Sequence, residues 1–454
     1  MIIRKTRSVC PVCLANISAR LDQQPDGSVY MEKTCPEHGT FRTIVWRGRL
    51  PFSGWTAQAQ ELTGEGGRHC PENCGLCGEH LRQSCCVLLE VTRRCNLCCR
   101  FCFADAGVGS EPSLDCLKEA VRDIAHRCSG PMLQLSGGEP TLRDDLPELI
   151  RFAKEGGIPY VQVNTNGIRL AKEPELARSL AGAGLDFVFL QFDGTDDRVY
   201  RMLRGRDLLE VKKRAIDNSD KAGLAVTLVP TVVPGVNLDD LGAMVAFAVN
   251  RSPAIRGVHF QPVSYFGRIP GAQPSDADRC TLDELLDSLC EQTGLTFHDF
   301  IPSRCDHPLC GFHGSFIAEQ GRLIPLTRSD TAPRGTITAR ENREFVARHW
   351  LRRRVEEPES DNSAVAVFEK EDASSAGMQK YRLRLAMEES GVSDMDVFLK
   401  KVRSQSFTLS SMPFQDAMNL DAERLQSCSL HVYRQGKIVP LCAEYLTPVD
   451  QNGF

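Results

Sequence analysis

Apolar residues recur through the middle of the chain in two alternating rhythms. Short apolar runs at Val87–Thr92, Pro131–Leu135, Tyr160–Asn164, Phe187–Phe192, Ala225–Pro230 and Gly257–Gln261 read as six strands. Between them the spacing is helical. Leu114, Leu117, Val121 and Ile124 mark a helix reaching Cys128, and Asp145–Lys154, Pro174–Ala183, Leu208–Ala222 and Leu238–Val249 predict four more. Strand–helix repetition of this kind predicts a parallel sheet with right-handed crossovers. The expected fold is α/β, a partial (β/α)6 TIM-like barrel over residues 87–270, with functional groups at the carboxyl ends of its strands.

The flanks follow other patterns. Ala19–Asp22 and Gly27–Met31 read as a hairpin around Gln24-Pro-Asp-Gly27. Leu282, Leu285, Leu286 and Leu289 mark a helix on which Cys280 and Cys290 serve as packing residues. Arginines crowd 334–354, predicting a charged helix with a solvated face. The acidic, Ser-rich stretch 356–375 predicts a linker. A helix over 379–402 and a hairpin within His431–Val439 follow. The boundaries divide the chain into a small β module (1–55), a cysteine-rich segment (56–86), the barrel (87–270) and an α+β region (271–454) with a charged insertion at 335–375.

Composition narrows the chemistry. With 454 residues and a net charge of −5, the chain is no general nucleic-acid binder. No apolar run is long enough to span a bilayer. The start, Met1-Ile-Ile-Arg-Lys-Thr-Arg7, lacks a secretory core, so a cytoplasmic protein is expected. Twenty cysteines in a reducing compartment read as metal ligands. Cys10-Pro-Val-Cys13 and Cys35-Pro-Glu-His38 are two ligand pairs on hairpin tips. They suit one tetrahedral metal, with zinc favoured and a rubredoxin-like iron the alternative. Cys70, Cys74 and Cys77, with Cys85 as fourth thiolate, can hold an iron–sulfur cluster or zinc; Cys86 or His80 can replace Cys85. Cys305, Cys310, Cys428 and Cys442 can close a further cluster.

The densest signal is Cys95-Asn-Leu-Cys-Cys99-Arg-Phe-Cys102. Three thiolates at C-x3-C-x2-C spacing can hold three irons of a [4Fe–4S] cluster and leave the fourth iron open. Cys98 inside the loop reads as a non-ligating thiol. Downstream stand Ser136-Gly-Gly-Glu-Pro140, Asn164-Thr-Asn166-Gly167 and Gln191-Phe-Asp193-Gly194, each at a predicted strand end.

Together these motifs resemble the radical SAM superfamily. The resemblance implies that the open iron chelates S-adenosylmethionine (SAM). It also implies that Phe101, Phe103, Gly137, Gly138, Glu139, Asn164, Asn166, Gln191, Asp193 and Arg204 line the cofactor and substrate cavity. Asp193 is then the candidate partner of SAM hydroxyls, and Arg204 of its carboxylate. Thr6–Cys13, Cys35–Gly39, Cys70–Cys77, Glu90–Leu97, Asp306–Cys310 and Phe414–Asp421 are similar in order to the tetraether-lipid-synthase-like subgroup and the related (seleno)proteins called TrsS. That likeness implies an N-terminal mononuclear metal and one or two auxiliary [4Fe–4S] clusters, and raises Cys305, Cys310, Cys428 and Cys442 as ligands. It further implies a low-potential donor such as a flavodoxin or ferredoxin, and a companion SAM methyltransferase. The expected chemistry is C–C or C–S bond formation or methylation on a lipid or a small-molecule substrate, with a cofactor precursor or peptide as the second reading. An electron carrier or scaffold is the alternative of another class.

Overall fold

The computed structural model describes residues 1–57, 70–71, 76–107, 111–271, 274–327, 329, 336–351, 387 and 394–448. Cys74 and the linker 356–375 lie outside the described residues. The first four strands, β1 (Ile2–Val9), β2 (Asn16–Gln23), β3 (Val29–Cys35) and β4 (Gly39–Trp46), form an antiparallel meander. The expected hairpin is its centre. On β2, β3 and the start of β4 buried Ile17, Ala19, Leu21, Val29, Met31 and Phe41 alternate with more exposed residues, as a one-sided sheet requires.

The main sheet is built on β5 (Cys86–Thr92), β6 (Met132–Gly137), β7 (Tyr160–Thr165), β8 (Phe187–Gln191), β9 (Ala225–Val229), with a short extension β10 (Thr231–Val232), and β11 (Ile255–Pro262). β5, β6, β7, β8, β9 and β11 pair in parallel in that order. Phe187, Val188, Phe189 and Leu190 of β8 are all buried, which explains why these strands read as apolar runs without alternation. Helices α2 (Leu114–Arg127), α3 (Leu146–Glu155), α5 (Pro174–Gly182), α7 (Leu209–Lys221) and α8 (Leu241–Val249) lie where the periodicity places them. Buried Leu146, Leu149, Ile150 and Ala153 form the inner stripe of α3. The short helices α1 (Phe52–Thr56), α4 (Ile168–Lys172) and α6 (Asp197–Arg204) carried no periodicity signal.

The parallel array is larger than six strands. After β12 (Ile301–Pro302), β13 (Phe312–Glu319) and β14 (Arg322–Pro325), strand β15 (Ser406–Ser411) adds in parallel to β11. At the opposite edge β16 (Leu430–Arg434) adds in parallel to β5, with β17 (Lys437–Pro440) turning back against it. Residues from the last quarter of the chain therefore flank the sheet on both sides.

Helix α9 (Leu282–Thr293) carries the predicted leucine stripe, with Leu282, Leu285, Leu286 and Leu289 buried. Helix α10 (Ala339–Trp350) departs from expectation. Arg340 on its outer face is solvated and pairs with Glu344. Its inner face is no solvated surface. Trp350 packs on Phe187, Phe189 and His259, and its Nε1 donates to Thr408 Oγ1 at 2.8 Å. Buried Arg343 donates to the carbonyls of Ser84 and Ser129. Apolar and hydrogen-bonding residues interleaved among the arginines made this side invisible to a charge count.

Candidate functional site

The cysteine loop leaves the carboxyl end of β5. Gly137 and Gly138, at the end of β6, pack directly on its first residues. A Cβ on Gly137 would stand 2.3 Å from the Thr92 carbonyl oxygen, and one on Gly138 2.1 Å from that of Arg94. Gly137 has φ +116° as well. The glycines thus allow backbone to meet backbone: Gly138 N–H donates to Thr92 O and Glu139 N–H to Arg94 O, both at 2.8 Å. Past the loop, Cys102 exchanges two backbone hydrogen bonds with Arg268. Cys98 is exposed, and its Sγ receives Arg268 Nη1 at 3.5 Å.

Cys95, Cys99 and Cys102 face one another closely enough to interact electrostatically. Burial raises the Cys95 thiol to about 11, and Glu139, Cys99 and Cys102 add to the rise. Burial likewise raises Cys102. Among the described residues the only group of three or more Cys, His or acidic donors lying within 4.8 Å of one another is Cys10, Cys13, Cys35 and His38. The loop trio is spread wider than one ion spans. A cluster whose metals occupy separate corners fits that spread, and the soft donor set suits iron and sulfide.

Around the loop, charged side chains are bound to one another. Glu139 is buried. It accepts from Thr141 N and Oγ1, Thr165 Oγ1 at 2.6 Å and Asn166 N at 2.7 Å. Asn166 donates to Asn96 of the loop at 2.7 Å. Asp193, fully buried, takes both arms of Arg204 at 2.7 Å, as well as Thr231 N–H and the Gln191 amide. Arg204 also abuts Cys99. Burial pulls its pKa down, but Asp193 and Cys99 outweigh burial and hold it above the ordinary range. Asp193 and Arg204, expected to address SAM separately, thus meet as a bidentate ion pair. Sequence reasoning missed Lys212, whose Nζ donates to Asn166 O at 2.6 Å and Gln191 Oε1 at 2.8 Å. Burial pushes it down to about 7. Its signal was a lysine on the buried stripe of α7, in line with Ala215, Ile216 and Ser219.

Inside the barrel a cavity of about 130 Å3 is lined by inward residues of successive strands, including Cys86, Gln134, Gln162, Asn164, Phe189, His259 and Gln261. Asn342, Val346 and Trp350 of α10 line one side of it, and Phe103, the residue after Cys102, reaches its wall. Phe103 stacks edge-on against Tyr445 at 5.0 Å, while Phe101 meets Tyr265. Gln162 Nε2 donates to Asn164 Oδ1 at 3.2 Å, but Gln162 Oε1 is buried with no partner. Of the cavity residues Asn164, Phe103, Cys85 and Cys86 were singled out from sequence, the cysteines as metal ligands. Amides set inside apolar strands give no pattern of their own.

The ribbon site is tight. Cys10 Sγ and Cys35 Sγ lie 3.7 and 3.5 Å from His38 Nδ1. The His38 hydrogen bond lowers the Cys35 thiol to about 6, which suits a metal ligand. Lys33, buried, donates to Ser8 Oγ and to Ala417 O, tying the module to the C-terminal loop. The other cysteines assort less simply. Cys85 and Cys305 are buried in one small cluster with Ala339. Cys86 turns the other way, its Sγ 3.4 Å from Gln134 Oε1. Cys310, Cys428 and Cys442 share a neighbourhood in which burial raises every thiol, and Arg424 lies against Cys310. Cys70 is buried near Cys442 in a common apolar group. Cys77 borders a cleft with His80, whose Nε2 contacts Cys428 O and His431 Nε2.

Residues 89–248 match the model of the Radical SAM superfamily, and residues 2–47 that of the HMPTM N-terminal zinc ribbon domain. The chain is 32% identical to 7,8-dihydro-6-hydroxymethylpterin dimethyltransferase of Methanocaldococcus jannaschii, over 97% of this chain and 92% of that protein. It is 28% identical to mycofactocin maturase MftC of Mycolicibacterium smegmatis, over 53% of this chain and 58% of the relative. Methylornithine synthase (PylB) superposes over 50% of the chain and 66% of that structure, with a TM-score of 0.38 and 17% identity.

Proposed function

The chain belongs to the radical SAM superfamily, and from that membership we propose that it alkylates a small planar heterocycle at an unactivated carbon, by methylation or by C–C or C–S coupling. Cys95, Cys99 and Cys102 would hold a [4Fe–4S] cluster, which would supply the one-electron reduction of SAM and so the radical chemistry needed to take a substrate hydrogen. The chain's own residues prepare that event. The three thiols give up their protons on metal binding. The Asp193–Arg204 pair and Lys212 hold the Asn166 turn and Gln191 in one arrangement, so the pocket edge needs no reorganisation. Trp350, Phe189 and Val346 of α10 give the cavity an apolar wall.

The observation that carries the reading is the continuity of loop and cavity: Phe103 follows Cys102 and lines a mostly apolar chamber into which a few amides point. The unpartnered Gln162 oxygen supports a substrate with N–H donors over an alkyl chain. A buried unsatisfied acceptor costs about 1–3 kcal/mol, which a hydrocarbon would leave uncompensated. The Methanocaldococcus relative is named for a hydroxymethylpterin, a heterocycle of that kind. Lipid coupling, as in the tetraether-lipid-synthase-like subgroup, is the second reading. Eight further cysteines, Cys70, Cys74, Cys77, Cys85, Cys305, Cys310, Cys428 and Cys442, are proposed to hold auxiliary [4Fe–4S] centres, and the ribbon site to hold zinc. Electrons come from a flavodoxin- or ferredoxin-like donor.

Anaerobic incubation with SAM, dithionite and 7,8-dihydro-6-hydroxymethylpterin tests the reading. The expected result is 5′-deoxyadenosine together with a pterin heavier by one or two methyl groups. Absence of deoxyadenosine defeats the radical mechanism. Deoxyadenosine with unaltered pterin, and with turnover on long-chain lipids, defeats the heterocycle.

A further inference from the structure

Cys85 and Cys86, where β5 begins, both border the cavity but meet different neighbours. Cys86 turns into the barrel toward Gln134. Cys85 turns toward the C-terminal region, where Asn342 Nδ2 stands 3.3 Å from its sulfur and Cys305 packs beside it. The juxtaposition is stapled by backbone. Cys85 N–H donates to Ser429 O at 2.8 Å, and Ser429 N–H donates to Asp306 Oδ1 at 2.7 Å. Asp306 is the neighbour of Cys305, so residues 85, 305–306 and 429 form one closed circuit. The two thiols themselves share a hydrogen bond, which with burial raises the Cys305 thiol well above its ordinary range.

Cys305 and Cys310 do not stay together. The turn Pro308–Cys310 reverses the chain between them, with His307 Nδ1 accepting from Leu309 N–H at 3.1 Å and Trp55 Nε1 donating to Pro308 O at 3.1 Å. Cys310 ends beside Arg424, in the neighbourhood of Cys428 and Cys442. A backbone N–H from Gln415 reaches Cys442 Sγ at 3.2 Å, a contact that suits a thiolate ligand.

We propose that Cys85 and Cys305 are ligands of one auxiliary iron–sulfur centre that forms part of the wall of the substrate cavity, while Cys310, Cys428 and Cys442 serve another. Sequence order would divide the same cysteines differently, placing Cys85 with Cys70–Cys77 and Cys305 with Cys310. The wall position follows from the lining: Cys85, Asp306, Asn342 and Ser429 border the chamber that also holds Gln162 and His259. A centre there touches substrate directly, as a ligand to it or as its electron partner. The proposal rests on the reading that auxiliary clusters are present.

Iron and sulfide counts on anaerobically purified full-length chain test it. Cys85→Ser and Cys305→Ser should each lose one centre, about four irons, and the double variant should lose no more than either single. Cys85→Ser combined with Cys310→Ser should lose twice as much. Additive loss in the Cys85/Cys305 pair overturns the proposal. A second measurement needs no variant. During stepwise chelation of native protein, alkylation followed by peptide mass spectrometry should label Cys85 and Cys305 at one common rate, distinct from that of Cys310, Cys428 and Cys442. Labelling of Cys85 in step with Cys77, and of Cys305 in step with Cys310, overturns it. Wild-type protein with only about four irons sinks the auxiliary-cluster reading as well; a full complement grouped otherwise sinks this inference alone.

Discussion

Two neighbouring regions of the barrel treat their buried polar groups in opposite ways. At the strand ends beside the cysteine loop, Glu139, Asp193, Arg204 and Lys212 are all buried, and each is bound to named partners. Deeper in the chamber, Gln162 Oε1 has no partner, Gln134 Oε1 has only a long contact from Cys86, and His259 reaches only Ser410 Oγ through Nδ1. A satisfied network in low dielectric is rigid and strong, and an unsatisfied one is costly. On the proposed function, the first region is a rigid scaffold beside the cysteine loop. On the same reading, the second keeps hydrogen-bonding capacity for a guest. The contrast also explains why a carboxylate–guanidinium pair occupies a place where sequence motifs suggested two separate cofactor contacts.

Removal of the loop's metal-holding capacity should have the largest effect. Cys99→Ala is expected to abolish 5′-deoxyadenosine formation and remove about four irons per chain, read by iron assay and chromatography. Retained deoxyadenosine would mean that the loop is not where SAM is cleaved, and the scaffold side of the comparison would lose its purpose. Arg204→Ala comes next. It strands Asp193 in the interior, and removal of one partner of a buried pair costs about 3–5 kcal/mol. A large fall in the urea midpoint is expected, beyond any change in SAM affinity. An unchanged midpoint with a raised KM for SAM would instead make Arg204 a direct cofactor contact. Gln162→Leu probes the other region and should show the reverse pattern. Stability holds or rises, because an unpaired buried oxygen disappears. Substrate-dependent deoxyadenosine formation falls about tenfold, the equivalent of one lost hydrogen bond. If stability falls as well, Gln162 belongs to the scaffold and the two regions are one.

Much of this arrangement could be read in the chain, for a definable reason. Cys95, Cys99 and Cys102 lie within one loop, as do the ribbon's paired ligands, so spacing alone carries their geometry. The six strands show because burial on both faces leaves no polar gap in Phe187–Leu190. What stayed hidden depends on contacts between distant residues. β15 joins β11 across about 150 positions, Gly257 pairing with Thr408. No local pattern announces that, nor that Trp350 lines the interior. Asp193, Arg204 and Glu139 stood out by residue type, but a side chain's partner is set by packing. Lys212 was within reach: a charged residue on the apolar stripe of α7 must either break the helix face or answer a buried acceptor. Gln134 and Gln162 could not be found this way, since an amide in a parallel strand looks like any inward residue.

The smallest effect tests the chamber by its acid response. Burial holds His259 down to about 4, well below its ordinary 6.5. The folded state therefore binds fewer protons than the unfolded chain between those two values, so stability rises with pH across that window and is lost as pH falls through it. His307 and His431, held down to about 3 by burial, add to the same slope. In His259→Gln the slope should weaken by one proton's worth, a difference of about 1 kcal/mol between pH 7 and pH 5.5 in urea titrations. A bound heterocycle should raise stability by the same amount at both pH values and leave the wild-type difference as it is, because the ring is already unprotonated throughout that window. An identical slope in both proteins would mean that His259 is solvated on the folded side, and the chamber would then be no drier than the surface.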